Sequence, residues 1–388
     1  MNWKTVKLGD VCSKIGSGAT PRGGSTVYIE KGITFIRSQN VYNLSFNYSG
    51  LVFINDEAAT KLKGVTIKES DVLLNITGDS VARTCIVPSD VLPARVNQHV
   101  AIVRPESEIL NPIFLNYYLA SPYMQSFMLG IAVGKGTSRN AMTKDMIAEF
   151  EVPCPPIKVQ QKIIDILKPY DSLIENNRKQ IKLLEEAAQR LYKEWFVNLH
   201  FPGYEDVEIV AGVPEGWTEG TLEDVAPFKR GKTITKVQVH DGDVPVVAGG
   251  LEPAYYHNVS NTVAPVITVS GSGANAGYAR LYNVNVFASD CSFVDSNSTP
   301  YLFYVYCFIK DNRDRFNALK KGSAQPHVYA KDINALEALI PTNKLIEEFC
   351  SIASQYFEKI KILQMQIQLS TQARDRLLPK LMSGEIEV

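Results

Sequence analysis

WKTVKLGDV at residues 3–11 returns as WTEGTLEDV at 217–225, with Trp3, Leu8, Asp10 and Val11 falling on Trp217, Leu222, Asp224 and Val225 at one constant offset of 214. A repeat on that scale fixes an architecture before any single motif does. Four further landmarks keep the same order. DVLLNITGD at 71–79 has its counterpart in APVITVSGS at 264–272, each an apolar strand running into a glycine turn. NPIFLNYYLAS at 111–121 matches TPYLFYVYCFI at 299–309, each a proline followed by an aromatic-rich stretch that reads as a helix. GKGTSRNAMTKDM at 134–146 matches KKGSAQPHVYAKDI at 320–333, a basic glycine loop before a Lys-Asp pair. Each copy then closes on a proline junction, VPCPPIKVQQKI or LIPTNKLIEEF, that leads into a long helix. The offset shrinks from 214 to 186 along the way, so the second copy carries net loop deletions.

The two helical stretches are patterned to pair. After the first junction Ile163, Leu167, Tyr170, Ile174, Asn177, Ile181, Leu184, Ala188, Leu191 and Trp195 keep an unbroken 4,3 spacing, the seam of a coiled coil. After the second, Ile346, Phe349, Ala353, Tyr356, Ile360, Leu363, Ile367, Ser370, Arg374 and Leu377 do the same. The seams are expected to pack on each other, with Asn177 fixing register at some cost in stability. Pro169 predicts a kink or break near Lys168. Helices of roughly 30 to 36 residues would span roughly 45 to 55 Å and act as a ruler. Core helices of one globular domain are the competing reading, and strict heptads argue against it.

Bulk properties bound the function. The chain has 388 residues, 45% hydrophobic and 21% charged, the balance of a folded protein with room for two domains. Six scattered cysteines without a CxxC pair read as buried free thiols in a reducing compartment. The N-terminus carries no apolar run of signal-peptide type, and YLFYVYCFI at 301–309 falls far short of the roughly 20 residues that cross a bilayer, so a cytoplasmic protein without membrane contact is expected. Forty basic against 41 acidic residues leave a formal charge of −1. A nucleic-acid role therefore needs locally clustered cations, partner subunits that supply positive surface, or both.

Both copies carry glycine loops with basic and amide side chains, which can pair with base edges or hold phosphates. In the first copy the candidates are Arg22, Arg37, Gln39, Arg83, Asn97, Gln98, Lys135, Ser138, Arg139 and Asn140. In the second they are Lys232, Asn275, Lys320, Lys321, Gln325 and His327. Any one of them alone is an ordinary solvated loop residue. Equivalent placement in both copies favours the sets around Lys135–Asn140 and Lys320–His327. The helix-pairing candidates are Ile174, Asn177, Ile181, Leu184, Leu191, Tyr356, Ile360, Leu363 and Ile367.

KLGDV near the start, PPIKVQQKII at the first junction, IENNRKQIKLLEEAAQRLYKEWF in the first helix, PEGW at 214–217 and RDRLLPKLMSGEIEV at the end together resemble the specificity subunits of type I restriction-modification enzymes. The likeness covers essentially the whole chain. It implies an α+β fold of two repeated target recognition domains separated by two long antiparallel coiled-coil helices, with pseudo-two-fold symmetry. The expected boundaries are 1–156 for the first domain, 157–201 for its helix and 202–213 for a linker. The second domain follows at 214–341, then the second helix and tail at 342–388. The resemblance further implies that each domain reads half of a split site on double-stranded DNA, with half-sites near one helical turn apart or somewhat more. Two methyltransferase subunits and two restriction-translocase subunits are the implied partners. No cofactor is expected on this chain, with S-adenosylmethionine, ATP and magnesium held by the partners. No base-contacting residue is carried over from the family, whose target-reading domains vary widely.

Catalytic machinery is not visible in the sequence. APFKRGKT at 226–233 meets the loose form of a phosphate-binding loop, but β-favouring TITKVQV follows where a helix is required. The tandem proline CPPI at 154–157 lacks the polar and aromatic residues of an adenine methyltransferase loop. The five histidines show no metal-ligand spacing, and SGSG at 270–273 reads as a turn rather than a nucleophile elbow. A recognition subunit of a type II system and a protein-binding coiled-coil scaffold remain as alternatives.

Overall fold

A computed structural model describes residues 3–133, 141–322 and 326–388. The candidates Lys135, Ser138, Arg139, Asn140 and Gln325 lie outside the described residues. The chain divides into two units, Met1–Glu175 with Ile367–Val388 (unit 1) and Asn176–Gln366 (unit 2).

In unit 1 the strand Val72–Asn75 is buried at every position, with Val72 and Leu74 in one apolar cluster and Leu73 in another. A strand covered on both faces needs a continuous apolar run, which is why DVLLN shows no alternation. It sits inside a four-stranded antiparallel sheet ordered Cys12–Ser17, Val100–Pro105, Val72–Asn75, Thr84–Ile86. A second sheet is ordered Ala94–Val96, Ile33–Ile36, Val52–Ile54, Tyr28–Ile29, its first pair parallel. The strand Thr5–Lys7 pairs with Glu151–Pro153 at the junction to the first long helix. The helix Pro112–Ala120 starts where Asn111 accepts from the Ile113 amide at 2.9 Å and Pro112 presets the first turn.

Unit 2 repeats this plan. Its four-stranded sheet runs Lys229–Arg230, Cys291–Asp295, Val266–Ser270, Ala279–Tyr282, again antiparallel throughout. The companion sheet runs Phe287–Ala288, Val244–Val247, Tyr255–His257, with the first pair parallel. Thr218–Thr221 pairs with Glu337–Ile340 as Thr5–Lys7 does with Glu151–Pro153. The glycines repeat as well. A Cβ on Gly18 would stand 2.2 Å from the carbonyl oxygens of Val96 and Asn97, and one on Gly231 2.4 Å from that of Ser289. Only glycine allows the chain leaving Cys12–Ser17, and that leaving Lys229–Arg230, to pass so close to the neighbouring backbone.

The first long helix is Ile157–Phe196 and the second Asn343–Ser383, 40 and 41 residues. At 1.5 Å per residue each is about 60 Å long, longer than the sequence pattern alone marked. Of the kink or break expected near Lys168, a break does not occur: the first helix is continuous through Pro169, with Ile163, Leu167 and Ile174 all buried on either side of it. Proline removes one hydrogen bond, and apolar burial on both flanks outweighs that loss.

Within each unit the helical segments pair antiparallel. In unit 1 Ile163, Ile164 and Leu167 share a cluster with Leu378, Leu381 and Met382, and Arg374 bonds Asp171 at 2.6 Å. In unit 2 Ala188, Tyr192 and Trp195 share one with Phe349, Ala353, Phe357 and Ile360, with Ile181, Leu184, Leu191 and Tyr356 packed against it. Leu363 is 1% exposed, and Ile367 is half-buried. An aromatic cluster fastens this helix pair to the domain, with Phe196 meeting Tyr304 edge-on at 4.9 Å between centroids and Phe349 at 5.2 Å. No helix among the described residues is long and apolar enough to cross a membrane.

Candidate nucleic-acid interface

In unit 1 a chain of polar side chains forms where the Val72–Asn75 strand turns out at Gly78, whose φ of +73° lies in the left-handed region. The Thr77 hydroxyl and His99 Nδ1 are 2.6 Å apart, and Gln98 Nε2 lies 3.3 Å from His99 Nε2. The Thr20 hydroxyl in turn donates to Gln98 Oε1. Three separate loops, around residues 20, 77 and 98, thus meet at one end of the four-stranded sheet. Gln98 is exposed, and Thr77 and His99 are half-buried.

Other unit 1 candidates are committed to the fold. Asn97 is 8% exposed, and its Oδ1 accepts from the His99 amide at 3.1 Å, so it shapes the loop. Arg37 Nη2 and Gln39 Nε2 both donate to the Gly50 carbonyl, at 2.6 and 3.3 Å. They clamp the loop ahead of the Val52–Ile54 strand. The Arg83 guanidinium lies over the Tyr42 ring, 4.5 Å from its centroid. Arg22 is exposed ahead of the short turn Gly24–Val27.

Unit 2 builds its counterpart around Gly273, φ +76°. The Ser272 hydroxyl donates to Asp290 Oδ2. Asn275 Nδ2 donates to the Gly249 carbonyl at 3.4 Å. The segment bearing His327 closes over this turn: His327 bridges to Ser272 and exchanges backbone hydrogen bonds with Lys321 at 2.8 and 2.9 Å. The His327 ring stacks on Tyr329 with centroids 6.0 Å apart. Lys321 is held by Asp332 at 2.7 Å, whereas Lys320 is exposed and pairs with no acidic group among the described residues. Lys232 is exposed, its amide bonded to the Ala288 carbonyl at 2.9 Å. The preceding Lys229–Arg230 is a sheet strand and the next element is the short turn Lys236–Gln238, so residues 226–233 form a sheet edge rather than a strand-loop-helix. Among the described residues no three His, Cys, Asp or Glu side chains are grouped to hold a metal ion.

Of Thr20, Thr77, His99, Ser272 and Asp290, none is a candidate from the sequence, although Thr77 and Ser272 lie in the repeated strand-turn stretches and His99 directly follows Gln98. Cations and amides dominate the sequence signal, and an isolated carboxylate or strand-end hydroxyl carries little of it.

The two look-alike units each present polar side chains at the same end of the same four-stranded sheet. The model of the type I restriction modification DNA specificity domain matches residues 1–186 and again 214–370. The chain belongs to that family. It is a DNA sequence-specificity subunit of a type I restriction-modification system, and the two matches cover both copies of the repeat. The type I restriction enzyme MjaIX specificity subunit of Methanocaldococcus jannaschii is 24% identical, the alignment spanning 100% of this chain and 94% of that one. The HindI specificity subunit of Haemophilus influenzae is 23% identical over 99% of this chain and 100% of its own. In fold, this specificity subunit is similar to the type I restriction-modification S subunit of M. genitalium, with a TM-score of 0.59, 16% identity and coverage of 98% and 96% of the two chains.

Proposed function

We propose that each unit of this specificity subunit reads one short half of a two-part DNA sequence, and that the paired long helices set the length of the unread gap. Two methyltransferase subunits dock on the helices, and two restriction-translocase subunits complete the enzyme. The chain has no catalytic centre of its own. S-adenosylmethionine, ATP and magnesium belong to the partners, and the assembly works in the cytoplasm.

The observation that carries this reading is the repetition of one polar corner in both units, around Gly78 and around Gly273. A protein-only scaffold has no use for two such corners built on matched strands. The formal charge of −1 is consistent with it, because partner subunits that share the phosphate contacts relieve this chain of a strongly basic surface. The test is selection of bound duplexes from a randomised library by the tagged full chain with its copurifying subunits. Two short motifs at one fixed separation are expected; a single uninterrupted motif would overturn the reading.

A further inference from the structure

The polar corners of the two units differ in a way the fold does not require. Val100 lies opposite Asn75 in unit 1, and Cys291 lies opposite Ser270 in unit 2, so His99 and Asp290 occupy the same place in their sheets. Thr77 and Ser272 likewise hold one place, each two residues beyond its strand and one before a left-handed glycine. The hydroxyl is kept in both units and bonds the side chain across from it in both. That side chain is an imidazole braced by an amide in one unit and a carboxylate in the other. A turn that tolerates either group does not dictate which one stands there.

Charge then decides what the unit 2 group can face. A carboxylate beside DNA is repelled by phosphates and gains only where a base presents a hydrogen-bond donor. In the major groove those donors are the amino groups of cytosine and adenine. Adenine flanks its amino group with the N7 acceptor, which would oppose a second carboxylate oxygen; cytosine does not. Asp290 Oδ2 is taken by Ser272, while Oδ1 accepts nothing among the described residues and is left for such a donor. In unit 1 the residue at that place, His99, holds the exposed amide of the preceding Gln98, whose oxygen keeps a second lone pair beyond Thr20 and whose nitrogen a second hydrogen beyond His99, and a Gln amide pairs with adenine through N6 and N7.

We infer that this corner is specificity-determining in both units, with Asp290 reading a cytosine in one half-site and Gln98, positioned by His99, an adenine in the other. The inference rests on the half-site reading above, and the same selection experiment separates the two. Run with Asp290→Asn, it should lose about ten- to hundredfold discrimination for cytosine at one position of one half-site. Gln98→Glu should move one position of the other half-site from adenine towards cytosine. In each variant the untouched half-site reports that the chain has folded and bound. Ser272→Ala removes the turn bond but keeps the carboxylate, and it should retain the cytosine. Variants that enrich the wild-type motif would overturn the inference alone, as would a Ser272→Ala that erases the cytosine as fully as Asp290→Asn. A wild-type chain that enriches no two-part motif would overturn both.

Discussion

Asn177 and Gln366 face each other across the paired helices of unit 2, Asn177 Nδ2 donating to Gln366 Oε1 at 3.1 Å. Asn177 is 1% exposed on a seam whose other members are mostly apolar. A buried amide there specifies register and costs stability relative to leucine. Because Gln366 is exposed, its amide keeps water when the partner is lost. Asn177→Leu is therefore expected to stabilise by about 1 kcal/mol and raise the melting midpoint by roughly 2–4 °C. A lower midpoint in calorimetry would show that the pair is net stabilising.

Unit 1 pins its helices with charge instead. Arg374 bonds Asp171 at 2.6 Å, and Tyr117 from the helix Pro112–Ala120 donates to the same carboxylate. Burial works against the guanidinium, yet Asp171 and Asp375 hold its pKa above the usual value. Burial and then Asp171 push the Tyr117 phenol well above its ordinary range, so it stays a donor. Arg374→Ala leaves a half-buried carboxylate with only the Tyr117 donor and should cost about 1–2 kcal/mol in urea denaturation. Arg374→Met with Asp171→Leu should recover most of that loss; a double variant as unstable as the single one would contradict this account.

Legibility in the sequence followed the physics of each signal. The repeat could be read because strands buried on both faces, such as Val72–Asn75 and Val266–Ser270, demand apolar runs, and tight approaches such as Gly18 and Gly231 demand glycine. The seam could be read because helical periodicity is local. Which residue meets Asn177 could not, since Gln366 lies 189 positions away and off the predicted seam. The fate of Pro169 turned on burial at Ile163, Leu167 and Ile174, which a local rule about proline does not weigh. The polar corners were half legible: the loops were marked, but Thr20, Thr77 and His99 meet only through strand register.

The thiols set an alkaline limit on stability. Burial raises Cys85 and Cys291 from 9.0 to about 12. The unfolded chain therefore releases these protons from about pH 9, whereas the folded chain keeps them, and the unfolded state binds fewer protons in that window. Stability is expected to fall as pH rises from about 9 to 11, with slow alkylation of the native chain at pH 8 as a companion observation. Denaturation midpoints unchanged across that range would contradict it.

Salt dependence should separate the two neighbouring lysines. Lys320 is free of acidic partners among the described residues, while Asp332 already neutralises Lys321. Lys320→Ala is expected to lower the slope of log affinity against log salt by about one. Lys321→Ala should lower it by less, and filter-binding titrations in which Lys321→Ala has the larger effect would reverse the assignment.

The central claim is that each look-alike unit reads its own half of the site. Its most direct test replaces residues 214–341 with the corresponding stretch of a family member of different specificity and sequences the methylome of the host. One half-site should change while the other half and the gap stay as they were. A methylome in which both half-sites change together would contradict the account.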